Sequence, residues 1–409
     1  LFSLKKWDAY RLYLVMSGAT SFFFALIFTV NMIYQATTVG LNPLQLVLVG
    51  TLLEIVCFTF EIPTGVVADV YSRRLSVIIG FFLIGIGFMI EGLFPVFGAV
   101  LLAQVAWGIG ATFHSGALDA WLVDEVGDSR AAQAFLRASQ VGQIAGIIGV
   151  IASVGLATLN IQLPIVLSGV LFISMGVWLI LVMPEQGFQP APRTDRETWG
   201  SLFKTFGEGV AQVKGSAILL LILAISAVSG MFSEGFDRLW TAHVLENITL
   251  PNIGNFEPVI WFGFINISGA VVALVSMEVI RRRVNTENSA AVSRALTLIY
   301  ALLILALVGF AIAQSFPQAL IALWLIGVLR NAIHPLENAW TNMFVESQVR
   351  ATVLSMRAQL NAFGQIAGGP IVGYIGTMSS LRVALSFSAL LLAPTLPLFI
   401  RSRQKSPQA

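Results

Sequence analysis

The sequence predicts an all-α membrane protein of twelve transmembrane helices, built as two parallel six-helix bundles with both termini in the cytoplasm. Three observations carry that expectation: an apolar composition, twelve apolar runs of helix length, and a repeat relating the two halves of the chain. Hydrophobic residues fill 57% of the 409 positions and charged residues only 11%, where soluble domains carry roughly 25% charged residues. A chain of this length cannot bury that much apolar side chain without lipid as a second solvent. Lipid offers no partner to an open strand edge, so helices are the expected solution.

A hydrocarbon core about 30 Å thick needs about 20 apolar residues in helix. Such runs fall at 10–36, 43–68, 74–92, 95–123, 130–158, 161–183, 216–246, 256–280, 288–313, 316–345, 350–377 and 380–401. The longest break holds Pro190, Pro192, Arg193, Asp195, Arg196 and Glu197. It predicts an amino-terminal bundle over 1–183, a cytoplasmic linker over 184–215 and a carboxyl-terminal bundle over 216–409. Lys5, Lys6 and Arg11 precede or open the first span. Arg73, Arg74, Arg130, Arg193, Arg196, Arg281, Arg282, Arg283 and Arg350 fall in even-numbered loops, while Arg382 is the exception in the odd-numbered ones. Excess Lys and Arg mark the cytoplasmic side, so both termini and the linker are expected there.

The halves repeat each other. Arg130 and Arg137 match Arg350 and Arg357 at an offset of 220, and Gly142-Gln-Ile-Ala-Gly146 recurs as Gly364-Gln-Ile-Ala-Gly368 at an offset of 222. His114 matches His334, again at 220. Six spans lie between the copies, so the repeats share one orientation, and parallel halves place a substrate cavity near the midplane. The glycine runs read as helix-packing surfaces.

Composition also excludes functions. A net charge of +2 argues against a nucleic-acid partner, and Cys57 as the one cysteine rules out an intrachain disulfide or a cysteine-based metal site. No metal-ligand cluster or nucleophile elbow appears, so neither a cofactor nor an enzyme is expected. His114 and Asp119 would lie about 140° apart on a continuous helix, too far round to form a dyad.

Between spans two and three stands Gly65-Val-Val-Ala-Asp69-Val-Tyr-Ser72-Arg73-Arg74. It resembles motif A of the major facilitator superfamily, with Ser72 in place of the second glycine. Glu278-Val-Ile-Arg281-Arg282-Arg283 is similar to the family's second, degenerate copy. The resemblance covers the whole chain and implies the major facilitator fold. It implies that Asp69, Arg73 and Asp124 form a conformational latch, with Gly65 and Arg74 completing the motif. The plainer alternative makes Arg73 and Arg74 positive-inside anchors. Glu61-Ile-Pro-Thr-Gly65, Ser115-Gly-Ala-Leu-Asp119-Ala-Trp-Leu-Val-Asp124 and Met183-Pro-Glu-Gln are similar to bacterial drug-efflux members, including macrolide and tetracycline exporters. Gln104 stands where motif B carries arginine, and Gly142-x-x-x-Gly146-Ile-Ile-Gly149 lacks the proline of motif C, which is echoed in span eleven by Gly364-x-x-x-Gly368-Gly-Pro370.

A charged side chain at the bilayer centre costs about 2.5–3.5 kcal/mol on insertion scales, so each one needs a reason. The carboxylates Glu54, Glu61, Asp119, Glu234, Asp237 and Glu337 are candidates for proton coupling. Gly108, Thr112, Ser115 and Asp119 align along span four as one polar stripe expected to face the cavity, or alternatively to serve close helix packing. Glu234 and Arg238 are spaced to neutralise each other, which leaves Asp237 as a titratable carboxylate. Asn31, Tyr34, Gln35, Arg238, Arg330, His334 and Asn338 are candidates for substrate binding. Arg330, His334 and Glu337 share one face of span ten, and Arg330 requires an anionic partner from the protein or the substrate.

The expected function is secondary active transport of a small molecule by alternating access. Proton-coupled efflux of amphiphilic drugs is the leading reading, and a proton-coupled transporter or flippase for a specific anionic or lipid-like metabolite is the alternative. The expected partners are the substrate, protons and the bilayer of a bacterial plasma membrane, with the chain acting as a multi-pass monomer.

Overall fold

The structure is a computed structural model, and it describes residues 7–190, 200, 216–252, 257–283, 288–345 and 350–405. Apolar runs become helices wherever polar or proline-rich breaks allow a cap. In the amino-terminal half these are α1 (Ala9–Phe28), α2 (Asn31–Thr37), α3 (Pro43–Val70), α4 (Arg73–Leu93), α5 (Phe97–His114), α6 (Ala117–Val126), α7 (Asp128–Ala157) and α8 (Gln162–Val182). In the carboxyl-terminal half they are α9 (Ala217–Asn247), α10 (Pro258–Arg283), α11 (Ser289–Ile312), α12 (Phe316–Asn342), α13 (Arg350–Met378), α14 (Leu381–Leu391) and α15 (Thr395–Lys405). Side-chain caps fix several starts. Asp8 accepts from Arg11 N, Ser72 from Leu75 N and Asn288 from Ala291 N, while Ser315 and Gln318 make a capping box.

Two predicted spans are broken. Span one is interrupted at Thr29 and Val30, where the Thr29 hydroxyl turns back to the Ala25 carbonyl at 2.7 Å. Span four is interrupted at Ser115 and Gly116, with Gly116 at φ 38°, a backbone region that glycine enters without steric cost. The single polar stripe expected through Asp119 is therefore split between α5 and α6.

Among the described residues, eleven stretches are long and apolar enough to cross a membrane, against the twelve expected. The stretch predicted as span eleven is a helix, α13, but it falls outside that set. Its Arg350, Arg357, Asn361 and Gln365, together with its glycines, dilute its apolar character.

The chain divides into two compact units, Leu1–Gly40 with Leu52–Trp199, and Leu41–Thr51 with Gly200–Ala409. The predicted linker from residue 191 onward lies, Gly200 apart, outside the described residues. Helices related by the repeat pair in the same way inside each unit. In the first, α1 packs on α7 and α4 on both α5 and α8. In the second, α9 packs on α13, and α11 on α12, α14 and α15.

Gly142, Gly364 and Gly368 of the glycine runs lie on these seams, while Gly146 faces open space. A Cβ at Gly142 would meet the Ser21 hydroxyl at 2.7 Å, whereas one at Gly364 would overlap the Ala227 carbonyl oxygen and one at Gly368 that of Met231. A hydroxyl can rotate away and a helix backbone cannot. Gly364→Ala is therefore expected to lose about 1–3 kcal/mol, as overpacked cores do, and Gly142→Ala less. Thermal unfolding in detergent checks this; equal midpoints for Gly364→Ala and the natural chain would remove the seam argument.

Candidate functional site

The second unit concentrates its charge on α9 and α12. Arg330 on α12 donates from Nη1 at 2.5 Å and from Nη2 at 2.8 Å to the two carboxylate oxygens of Asp237 on α9. This planar two-bond pairing is the strongest geometry available to arginine. Its guanidinium carbon also lies 5.5 Å from the Phe232 ring centre and 5.7 Å from that of Phe236, a cation–π arrangement. Both rings are buried. The pair itself is open, with 33% of the Arg330 side chain and 43% of the Asp237 side chain accessible. Asp237, expected as a cavity carboxylate, is the anionic partner that Arg330 requires.

One turn earlier on α9, Arg238 Nε donates to Glu234 at 2.9 Å, the pairing their spacing predicts. These side chains are 15% and 6% accessible. A Cβ at Gly50, in the segment that groups with this unit, would overlap both of them. Arg238, a candidate substrate ligand from the sequence, is instead enclosed with its partner.

Glu337, on the same helix as Arg330 and His334, pairs with residues of other helices. Its carboxylate accepts from Arg357 Nη2 at 2.7 Å and from the Tyr300 hydroxyl at 2.7 Å. Arg357 also donates to Ser226, Asn338 and Thr341, joining α9, α12 and α13. Asn338, a candidate substrate ligand, is thereby an acceptor for Arg357, and its amide meets His334 Nδ1 at 3.4 Å. His334 is exposed. Arg357 and Tyr300 escaped the sequence reading. The available signal was the depth of Arg357 within span eleven, seven residues beyond Arg350.

In the first unit the Tyr13 hydroxyl donates to Asp119 at 2.7 Å. Tyr34 and Gln35 are buried, as is Asn31. Tyr34 donates to the Glu91 carbonyl oxygen at 2.6 Å, and Gln35 Nε2 to the Glu91 carboxylate at 2.6 Å. The two residues expected to line a cavity therefore tie α2 to α4 inside the bundle. Glu91 was missed, although a carboxylate inside the apolar run 74–92 was the signal to follow. Gln104, at the motif B position, donates to Glu91 at 3.4 Å and accepts from Trp107 at 2.8 Å. On α3, Glu54 is half-buried and Glu61 exposed.

Motif A forms a charge cluster at the start of α4. Arg73 Nη1 donates to Asp124 at 2.5 Å and to the Ala120 carbonyl oxygen at 2.7 Å, and Arg73 Nη2 lies 3.8 Å from Asp69. Ser72, the departure from the motif, donates to Glu185 at 2.7 Å. Glu185 also accepts from Arg74 N at 2.9 Å, an anion at a helix amino terminus. The Arg74 side chain donates to the Ile180 carbonyl oxygen at 2.6 Å. A Cβ at Gly65 would meet open space. His114, beside Asp119 in the sequence, instead packs edge-on against Phe81 with ring centres 5.1 Å apart. No group of three or more metal-ligating side chains occurs among the described residues.

Helices of membrane-spanning length, glycine seams and ion pairs within those helices define a polytopic membrane protein. Residues 12–312 match the Major Facilitator Superfamily, and the chain belongs to that family. A Bacillus subtilis (strain 168) protein described as an uncharacterized MFS-type transporter, YxaM, is 25% identical over 337 residues, covering 81% of this chain and 80% of the relative. Among solved structures, the nucleoside transporter NupG superposes with a TM-score of 0.76 at 15% identity, over 97% of this chain and all of that one. A bacterial homolog of the human lysosomal transporter Spinster gives 0.72 at 14% identity, over 98% and 99% of the two chains. At these identities the likeness is one of fold.

Proposed function

We propose that this chain is a proton-coupled secondary active transporter, which moves a small amphiphilic molecule across a bacterial plasma membrane by alternating access. In this reading it has twelve spans, keeps both termini in the cytoplasm and works as a monomer. The single observation that supports coupling is the open Arg330–Asp237 pair. An uncompensated charge at that depth costs about 2.5–3.5 kcal/mol. A proton on Asp237 removes the counter-charge of Arg330, so protonation and the occupancy of Arg330 are linked. Glu234 and Glu337 are each held by an arginine inside the fold, and we assign them structural neutralisation ahead of proton carriage. Glu54, Glu61 and Asp119 stay second-rank proton candidates, with Asp119 engaged by Tyr13.

The motifs shared with drug exporters support a second reading, proton-driven efflux of amphiphilic drugs. A substrate panel in proteoliposomes, with and without an imposed pH gradient, tests both. Uptake or efflux that rises with the gradient and loses that dependence in Asp237→Asn is the expected result. Gradient-independent transport by the natural chain would remove proton coupling, and unchanged coupling in Asp237→Asn would move the proton site elsewhere.

We assign Arg73, Asp69 and Asp124 the latch role that motif A implies. Arg73→Ala is expected to lower the initial transport rate by about tenfold while leaving substrate affinity within a factor of two, because an element that biases two states acts on their exchange. Initial rates over a range of substrate concentrations check this. A change confined to affinity would place Arg73 at the substrate instead.

A further inference from the structure

We infer that Arg330 binds the carboxylate of an organic monoanion, which takes the place of Asp237 as a proton moves onto Asp237. This deepens, and rests on, the proton-coupled reading above. Asp237 already demonstrates what Arg330 accepts: a planar, two-oxygen anion meeting Nη1 and Nη2 at 2.5 and 2.8 Å. A carboxylate of the substrate reproduces both bonds, which an ammonium or a hydroxyl cannot.

Three features suit the pair to exchange. It is accessible, at 33% and 43% of its side chains, whereas the Glu234–Arg238 and Glu337–Arg357 pairs are 6–15% and 11% accessible. The guanidinium carbon also lies 5.5 and 5.7 Å from the ring centres of Phe232 and Phe236, buried at 4% and 5%. Those rings keep Arg330 in place without offering an acceptor, so the fork stays formed when Asp237 lets go. The charge also balances. Among the described residues, Arg330 on α12 pairs with Asp237, and Glu234 and Arg238 lie within one turn of it on its own helix. Arg357 on α13 is engaged by Glu337, and Arg382 on α14 contacts Asn247 and Ala313. Arg330, Asp237, Glu234 and Arg238 sum to zero as they stand. One proton with one monoanion keeps that sum at zero, while a cation, an anion without a proton, or a dianion does not.

The consequence is directional. Proton and anion occupy the site together, so they move in the same direction, as symport. Drug efflux by antiport requires them to alternate.

The test is calorimetric titration of the full chain in lipid nanodiscs with 1-naphthoate and octanoate, each compared with the amine of the same skeleton. Buffers of different ionisation enthalpy report the protons taken up. The natural chain is expected to bind the anions and not the amines, to take up about one proton per anion, and therefore to bind them more weakly as pH rises. Asp237→Asn is expected to bind the anions with no proton uptake and a flat pH profile, a readout that a merely structural pair would not produce. Arg330→Ala should abolish binding and Arg330→Lys should weaken it at least tenfold. Preference for the amines, no binding of either anion, or unchanged anion binding in Arg330→Ala would overturn the inference. Anion binding at Arg330 without proton uptake would overturn the coupling reading and the exchange with it. Proton-driven transport with no preference for anions would overturn the substrate class alone.

Discussion

Replacing Arg357 by alanine is expected to destabilise the second unit by about 3–5 kcal/mol, the cost of leaving one member of a buried ion pair without its partner. Arg357 and Glu337 are each 11% accessible. Arg357 donates to four side chains on two other helices: Ser226 on α9, and Glu337, Asn338 and Thr341 on α12. Its loss strands the Glu337 carboxylate beside the buried Tyr300 and removes the donor that Asn338 and Thr341 share. Glu337→Gln keeps one acceptor for Arg357, while its amide can donate to the Tyr300 hydroxyl, and should cost less. The paired change Arg357→Met with Glu337→Leu should recover most of the loss, because removing both charges removes the desolvation cost as well. Denaturant or thermal unfolding in detergent measures all three. If the double variant is less stable than Arg357→Ala, the cluster does more than neutralise itself.

The second large effect is on transport. Arg330→Ala is expected to lower coupled transport about 100-fold, equivalent to about 2.7 kcal/mol, with a smaller effect on folding than Arg357→Ala. The distinction rests on exposure. The open Arg330–Asp237 pair can hydrate whichever partner is left, whereas the enclosed Arg357–Glu337 pair cannot. Initial transport rates beside unfolding midpoints separate the two residues. Equal loss of stability in Arg330→Ala and Arg357→Ala would assign both pairs to the scaffold.

Much of the architecture was legible because it is periodic. The 220-residue offset foretold that the two halves repeat each other. The glycines expected as packing surfaces serve as such at Gly142 on α7 and at Gly364 and Gly368 on α13, though Gly146 faces open space. The Glu234–Arg238 pair and the Asp69–Arg73 spacing were legible because both partners sit on one helix or at its end. What escaped lies between helices. Asp237 and Arg330 are 93 residues apart, and a single sequence carries no register between spans seven and ten. Glu337 and Arg357 sit on different helices, so Glu337 was grouped with Arg330 and His334 by face alone. The break at Gly116 hides in an apolar run because one φ of 38° leaves no trace in hydropathy. Glu91 was a different failure. The rule that an ionisable residue within a span needs a reason applied to it and was not carried into span three.

These gaps bear on function unequally. Tyr34, Gln35 and Arg238 were assigned to the substrate by position and are engaged with Glu91 and Glu234 inside their own units. Arg330 was assigned by depth, and it keeps an accessible face. Depth combined with access is the sharper criterion, and it sets Arg330 and the exposed His334 apart from the enclosed candidates.

Proton movement measured during transport tests the central claim most directly. Proteoliposomes carrying the natural chain and a lumenal pH dye, given an outside pulse of a transported anion, are predicted to acidify as the anion enters. Asp237→Asn is predicted to leave lumenal pH unchanged. An anion that enters without acidifying the lumen, or an alkaline shift of the kind antiport produces, would contradict the account.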